Sequence, residues 1–230
     1  MRISFKNCDH LNGYTINGSD IPRQTSHKHL GLIIAKNLSF NDYVNNVYNK
    51  CLQKWSYIKR ICLYANPEVL MKLYKTYIFA VIEYCSLCYN HNMTQTIKLE
   101  RIQKRITRDI CFKKFNKKLK YEERLKELNM TSLQTRRKLN VLKVVFKCVH
   151  DFEEMPYNWK NNYIISDNTR NGILIVKPNT RNTFCDKDFF IFSINLFNNL
   201  PKFIRNETKL NVFLTKCQKF YDLQNCFEYN

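Results

Sequence analysis

The sequence predicts a mainly α protein with a small antiparallel β element at its N-terminus, a helical bundle and a mixed α/β C-terminal region. Only 4 glycines and 5 prolines occur in 230 residues, which favours long regular elements over tight turns. Apolar residues recur at helical spacing after short strand-like stretches. These observations predict three regions, at residues 1–36, 37–154 and 155–230.

Three short segments near the N-terminus are strand-like. The first is "RISF", and the second, "YTINGSDI", contains Asn17-Gly18, a pair that suits a tight hairpin turn. The third is "HKHLGLII", which we expect to form one strand with Gly31 in its middle, although a glycine weakens a strand. Three strands leave one face of a sheet uncovered, so we expect them to be the edge of something larger.

Helical spacing dominates the central region. Ser39 is the expected cap of a first helix, and Asn66 and Pro67 begin a second. The apolar residues of the second helix come in adjacent pairs, which predicts that this helix is largely buried. Thr94 is the expected cap of a third helix, "YEERLKEL" predicts a short fourth, and Ser132 begins a fifth.

The C-terminal region has a mixed pattern. "GILIVK" is strand-like, and a Thr/Asn-rich stretch follows it. "FFIFSINLFNNLP" and "KLNVFLTKCQKFY" predict two further helices. We therefore expect both helices and strands after residue 155.

The charge of the chain is strongly unbalanced, because 38 Lys and Arg face 19 Asp and Glu, a net charge of +19. Such a surface attracts polyanions, whether nucleic acid or an anionic membrane. No apolar run approaches the about 18 residues of a membrane span, and the N-terminus lacks a signal-peptide core. The 10 cysteines are scattered, which favours free, buried thiols. We expect an intracellular protein, nuclear or cytoplasmic, that is not secreted and binds no membrane.

The third helix separates its apolar residues from its charged ones. On a helical wheel, four apolar residues fall within about 80° of one another: Leu99, Ile102, Ile106 and Ile110. Five cations fall on the opposite side: Lys98, Arg101, Lys104, Arg105 and Arg108. Residues 94–120 have ten basic and two acidic side chains, a local net charge of +8. Cations one turn apart suit neighbouring phosphates of a nucleic acid; the alternative is a solvated helix face without a partner.

Several short patterns along the chain occur in an order that is typical of one known family. They are "YTINGSDIP", "HKHLGLIIAKNLSFNDYV", "LYKTYIFAVIEYCS", "KLERIQKRITRDI", "YEERLKELNMTSLQTRRKL" and "LFNNLPKFIR". In this order they resemble the C-terminal part of the reverse transcriptases of non-LTR (LINE-type) retrotransposons. The resemblance implies that residues 1–36 correspond to the end of the polymerase palm, residues 37–154 to its helical thumb and residues 155–230 to the linker region that follows.

The resemblance also implies where this chain binds nucleic acid. His29, Leu30 and Gly31 stand where the family has its primer-grip turn, and a glycine lets the backbone approach a strand closely. For Gly31 a packing role beneath the helices is the alternative. The phosphate-binding candidates are the five cations of the third helix, together with Arg136 and Arg137 of the fifth. The implied partners are RNA or an RNA–DNA hybrid and the upstream fingers and palm of the polymerase.

The residues that perform polymerisation in this family are missing from the chain. The family holds two metal ions with an early palm aspartate and a Y-x-D-D pair, whereas this chain has no adjacent pair of aspartates. We therefore expect a fragment that is inactive alone and has no catalytic residue, metal site or cofactor. Mg²⁺ is expected only for the intact polymerase. Cys85, Cys88 and His91 have zinc-like spacing without an evident fourth ligand, so buried thiols are favoured. The alternative function is a stand-alone basic helical module that binds nucleic acid or protein without enzymatic activity.

Overall fold

The computed structural model describes residues 15–20, 24–89, 93–166, 172–178 and 189–227. This part of the chain is mainly helical, and its strands form two separate two-stranded antiparallel sheets near the N-terminus. The predicted mainly α fold class is therefore confirmed. The predicted strand "RISF" lies outside the described residues.

The chain forms two compact units, Met1–Cys85 and Ser86–Asn230. Their boundary lies inside the range 37–154, for which the sequence predicted one helical bundle. Each unit has its own set of buried apolar side chains.

The first unit opens with two hairpins. Their strands are β1 (Thr15–Ile16), β2 (Ser19–Asp20), β3 (Ser26–His29) and β4 (Leu32–Ala35). β1 pairs with β2 and β3 pairs with β4, both antiparallel. Between β1 and β2, Asn17 and Gly18 have φ angles of 50° and 78°, as a two-residue hairpin turn requires. The predicted hairpin at Asn17-Gly18 is confirmed.

The prediction of a single strand through Gly31 was wrong. Leu30 and Gly31 form the two-residue turn between β3 and β4, with φ angles of 46° and 88°. Both residues of such a turn need a positive φ, which glycine adopts without steric strain. A Cβ at Gly31 would lie 3.8 Å from Cε1 of Tyr84, an ordinary contact. The glycine is therefore required by the backbone conformation and not by a close approach to the helices.

Two long helical segments complete the first unit. Their elements are α1 (Asn41–Ile61), α2 (Pro67–Tyr74), a π-helical turn (Lys75–Phe79) and α3 (Ala80–Glu83). Asn66 precedes α2 and Pro67 is its first residue, as predicted. Phe40 rather than Ser39 is the N-cap of α1, and the Ser39 hydroxyl accepts the N–H of Asn41 at 3.3 Å.

The core of the first unit includes apolar residues of α1 and of the segment from α2 to α3. The buried members are Tyr43, Val44, Val47, Cys51, Trp55, Leu70, Tyr74, Ile78 and Ile82. The second predicted helix thus buries residues four apart, but Val69 and Tyr77, each adjacent to a buried residue, are exposed. This helix is therefore less buried than its paired apolar residues predicted.

The described helices of the second unit are grouped around one central helix, α7. Their bounds are α4 (Ser86–Tyr89), α5 (Met93–Phe115), α6 (Tyr121–Glu127), α7 (Leu133–Val149), α8 (Tyr157–Lys160), α9 (Phe189–Asn198), α10 (Lys202–Arg205) and α11 (Leu210–Phe227). α7 packs against α4, α5, α8, α9 and α11. Ser132 caps α7 as predicted, because its hydroxyl accepts the N–H of Thr135 at 3.0 Å.

The predicted strand "GILIVK" forms a single antiparallel bridge, between Ile165 and Ile175. On its other edge, the side-chain amide of Asn198 binds both backbone groups of Ile175: it accepts the N–H at 3.0 Å and donates to the C=O at 2.8 Å. Asn206 likewise accepts the N–H of Ile173 at 3.0 Å. Side chains here take the place of a neighbouring strand, so the described β structure after residue 155 is limited to this bridge.

Candidate nucleic-acid interface

Helix α5 presents cations on the side away from its core. The four predicted apolar residues are fully buried: Leu99, Ile102, Ile106 and Ile110. Four of the five predicted cations are exposed, and together they are termed the cationic face: Arg101, Lys104, Arg105 and Arg108. Lys98 is half-buried at the edge of this face. The predicted separation of apolar and cationic sides is confirmed.

The buried side of α5 is wider than predicted and contains polar residues. These are Gln95, Thr96, Glu100, Gln103 and Thr107. Gln103 donates to the C=O of Thr131 at 2.9 Å and to the hydroxyl of Tyr121 at 3.0 Å. A helical wheel ranks residues by polarity, so it could not identify polar side chains whose partners lie on other elements.

Glu100 binds the N-terminus of α7. Its carboxylate oxygens accept the backbone N–H of Leu133 at 3.1 Å and that of Gln134 at 3.0 Å. The hydroxyl of Tyr121, on α6, donates to the same carboxylate. A carboxylate is stabilised at a helix N-terminus by the unpaired N–H groups and by the helix dipole. One of the two acidic residues of α5 is therefore bound on the buried side, away from the cationic face.

The other acidic residue of α5, Asp109, lies next to Arg108. Its Oδ1 is 3.8 Å from the Nε of Arg108, whose side chain is largely exposed, and such a pair contributes little stability. Arg101 and Arg105 form no ion pair with any carboxylate in the described part of the chain. The positive charge of the cationic face is therefore largely uncompensated.

A groove of about 180 Å³ lies beside the cationic face, with walls from α5 and α6. Arg101 and Lys104 line one wall, and Tyr121 lines the other. The ammonium of Lys104 is 5.0 Å from the centre of the Tyr121 ring. This cation–π contact holds Lys104 at the edge of the groove.

Arg136 and Arg137 lie on α7 and are less exposed than the cationic face of α5. Arg137 is 1% exposed, donates to the Tyr89 hydroxyl at 3.1 Å and lies 4.9 Å from the centre of the Tyr89 ring. In this fold a phosphate has no access to its guanidinium, so Arg137 is placed to stabilise the second unit. Arg136 is half-buried and donates to the C=O of Thr131 at 3.0 Å, in the loop before α7.

His29, Leu30 and Gly31 lie together at the tip of the β3–β4 hairpin, in the first unit. Leu30 is 79% exposed, and its C=O accepts a hydrogen bond from the Tyr84 hydroxyl. Positive φ is a strained conformation for leucine, and strain of this kind clusters at functional sites. The predicted primer-grip residues therefore share one exposed turn, and its role stays a prediction.

Seven cysteines form no disulfide: Cys51, Cys62, Cys85, Cys88, Cys111, Cys148 and Cys217. Burial raises the pKa of Cys51 and of Cys148 to about 11, so both thiols are protonated at neutral pH. Among the residues that the structure describes, no group of three or more His, Cys, Asp or Glu side chains is arranged to hold a metal ion. His91, the third residue of the zinc-like spacing, lies outside the described residues.

None of the helices in the described ranges combines the length and the apolar character of a membrane span.

Comparison with known proteins identifies one distant relative and no family. No protein-family profile matches the chain, and no solved structure matches it. An uncharacterized protein of Caenorhabditis elegans is 25% identical over 115 residues, which is 50% of this chain and 58% of the relative. The chain thus matches little more than half the length of that relative, and a likeness at this level establishes neither a family nor a function.

Proposed function

We propose that this chain is the C-terminal, nucleic-acid-binding part of a reverse transcriptase of the non-LTR retrotransposon type. It binds RNA or an RNA–DNA hybrid through backbone phosphates, inside the cell, and has no polymerase active site of its own. The proposal rests on the cationic face of α5, whose exposed and largely uncompensated cations lie opposite a fully buried apolar side.

The spacing of the cationic face suits a phosphate backbone. Arg101 and Arg105 are four residues apart on one helix, which separates them by about 6 Å along its axis. A guanidinium can bind a phosphate through two parallel hydrogen bonds. Contacts of this kind depend strongly on salt and do not read base sequence. We therefore expect salt-sensitive binding with little preference among sequences.

The exposed apolar surface of the first unit supports the proposal that upstream fingers and palm cover it in an intact polymerase. Its large exposed apolar residues are Ile16, Leu30, Leu38, Tyr57, Ile61, Leu63, Tyr64, Val69, Tyr77 and Tyr84. All four residues of β3 are exposed as well. Exposed apolar surface beyond scattered single residues marks a contact site for other polypeptide.

Replacement of the three arginines of the cationic face tests this function. The full chain carrying Arg101→Gln, Arg105→Gln and Arg108→Gln is titrated against a fluorescent RNA–DNA hybrid at several salt concentrations, with fluorescence anisotropy as the readout. Log K falls linearly with log salt, and each lost phosphate contact should reduce the magnitude of this negative slope by about 0.7–0.9. We expect the triple variant to have a slope smaller in magnitude by about two to three, and to bind more weakly at low salt.

A matched control removes the same charge elsewhere on the second unit. Lys143, Lys209 and Lys219 are exposed and lie outside α5. The corresponding triple Gln variant should keep the wild-type slope. Equal slopes for the two triple variants would show that only net charge matters, and the cationic face would then not be the binding site.

A stand-alone interaction module is the second candidate, and the core of the second unit favours it. This core joins side chains of α7, α9, α10 and α11 with residues between α8 and α9. A stand-alone module should be monodisperse in sedimentation experiments and bind little of a dye for exposed apolar surface. The polymerase-fragment proposal entails self-association through the first unit, so aggregation with strong dye binding would favour it.

A further inference from the structure

An aromatic side chain lies in line with the arginines of the cationic face, at the C-terminal end of their row. Arg101, Arg105, Arg108 and Phe112 follow one another at intervals of four, three and four residues. Residues at these intervals form one ridge along a helix, and Phe112 lies about 6 Å beyond Arg108 along the axis. Phe112 is 50% exposed. The ridge therefore ends in a half-exposed ring.

The surroundings of Phe112 leave its ring accessible. No other aromatic ring in the described ranges stacks on it. Phe115, one turn further along the chain, differs because the ammonium of Lys114 lies 4.8 Å from the centre of its ring. A single exposed apolar side chain is common on protein surfaces. Its position in line with three arginines, rather than its exposure, distinguishes Phe112.

We propose that Phe112 is a stacking platform for an unpaired base, so that this end of the cationic face holds single-stranded nucleic acid. The inference rests on the proposed function and specifies the strand that is bound. In this arrangement the arginines bind consecutive phosphates, and the ring receives the face of a base next to them. Proteins that bind single strands combine a cationic track with aromatic rings in this way. Bases inside a duplex are already stacked on both faces, so a duplex cannot use the ring.

Single-stranded and duplex probes of equal length test the proposal on the full chain. The probes are a fluorescent oligouridine of about 20 nucleotides, longer than the site size of common single-strand modules, and a blunt RNA–DNA hybrid. We expect Phe112→Ala to weaken oligouridine binding by about five-fold or more and to leave hybrid binding unchanged. The salt slope should stay at the wild-type value, because no phosphate contact is removed.

Three variants separate stacking from other roles of the side chain. Phe112→Tyr keeps an aromatic face and should bind oligouridine like the wild type. Phe112→Leu keeps an apolar side chain without that face and should show the same selective loss as alanine. Phe203→Ala, at a 66% exposed phenylalanine of α10, should change neither affinity.

The outcomes distinguish this inference from the proposed function. Equal loss on both probes, or no loss on either, would overturn the stacking role of Phe112 and leave phosphate binding intact. If the triple arginine variant binds both probes like the wild type, the proposed function fails instead. Thermal unfolding of each variant is measured in parallel, and the leucine variant still decides the question if the alanine variant does not fold.

Discussion

The carboxylate of Glu100 on α5 accepts the backbone N–H of Leu133, the first residue of α7, at 3.1 Å. The two residues are 33 positions apart in the sequence. This contact joins the helix of the cationic face to the central helix of the second unit. Because Glu100 is held on the buried side of α5, the rotation of this helix about its axis is set. Arg101 and Arg105 consequently face outward.

Removal of the Glu100 charge should destabilise the protein. In Glu100→Gln one oxygen becomes an amide nitrogen, which cannot accept the N–H of Leu133 or Gln134, and the attraction to the helix dipole is lost. We expect the free energy of unfolding to fall by about 1–3 kcal/mol, measured by urea denaturation. Glu153→Gln changes the same charge at an exposed residue after α7 and should cost no more than about 0.5 kcal/mol. Equal costs for the two variants would contradict the capping role.

Arg137 and Arg105 should respond to alanine in opposite ways. Arg137→Ala leaves a cavity and removes the hydrogen bond to Tyr89, so we expect a loss of about 2 kcal/mol or more in unfolding free energy. Its salt slope for nucleic-acid binding should equal that of the wild type. Arg105→Ala should keep the wild-type stability and reduce the magnitude of the salt slope by about 0.7–0.9. A salt slope of reduced magnitude without a loss of stability in Arg137→Ala would contradict its burial.

Asn198, the last residue of α9, and Asn199, which follows it, should differ in their contribution to stability. Asn198 binds the N–H and the C=O of Ile175, whereas Asn199 is exposed. We expect Asn198→Ala to cost about 1–3 kcal/mol and to speed hydrogen exchange at the Ile175 amide. Asn199→Ala is the control and should change neither quantity. Unaltered exchange at Ile175 in the Asn198 variant would refute the contact.

The stability of the protein should depend on the protonation of His150. Burial lowers the pKa of His150 below its ordinary value of 6.5, and a hydrogen bond with the Glu207 backbone opposes this shift only in part. The ring packs on Phe146, with ring centres 4.1 Å apart. Near pH 6.5 this side chain is therefore protonated to a greater extent in the unfolded chain than in the folded protein. Stability should consequently fall as the pH is lowered from about 7.5 to about 5.5.

The His150→Gln variant provides the comparison for this pH dependence. Urea denaturation across the same pH range should give a flatter profile for the variant than for the wild type. The hydrogen bond from Lys216 lowers the pKa of Glu207 below its ordinary value of 4.5. The stability that this carboxylate contributes is therefore lost only below about pH 4.5, outside the range in which His150 is tested. Identical profiles for variant and wild type would exclude His150 as the source.

Features that depend on residues close in the chain could be predicted from the sequence alone. The turn at Asn17-Gly18, the start of α2 at Pro67 and the cap at Ser132 each depend on a few neighbouring residues, and each was predicted correctly. The buried and exposed sides of α5 also followed from its periodicity. These features are local because steric limits on φ, hydrogen bonds to a helix end and helical spacing act within a few residues.

Only the tertiary structure decided what the buried polar residues do and where the arginines lie. Arg137 and Arg105 have the same side chain, yet Arg137 is buried against Tyr89 and Arg105 is exposed. The partners of Glu100 are backbone groups more than thirty residues away. The polarity of a side chain indicates that solvent exposure is favourable for it. A charged side chain can nevertheless be buried where other segments supply its hydrogen-bond partners, and segments distant in the sequence meet only in the folded chain.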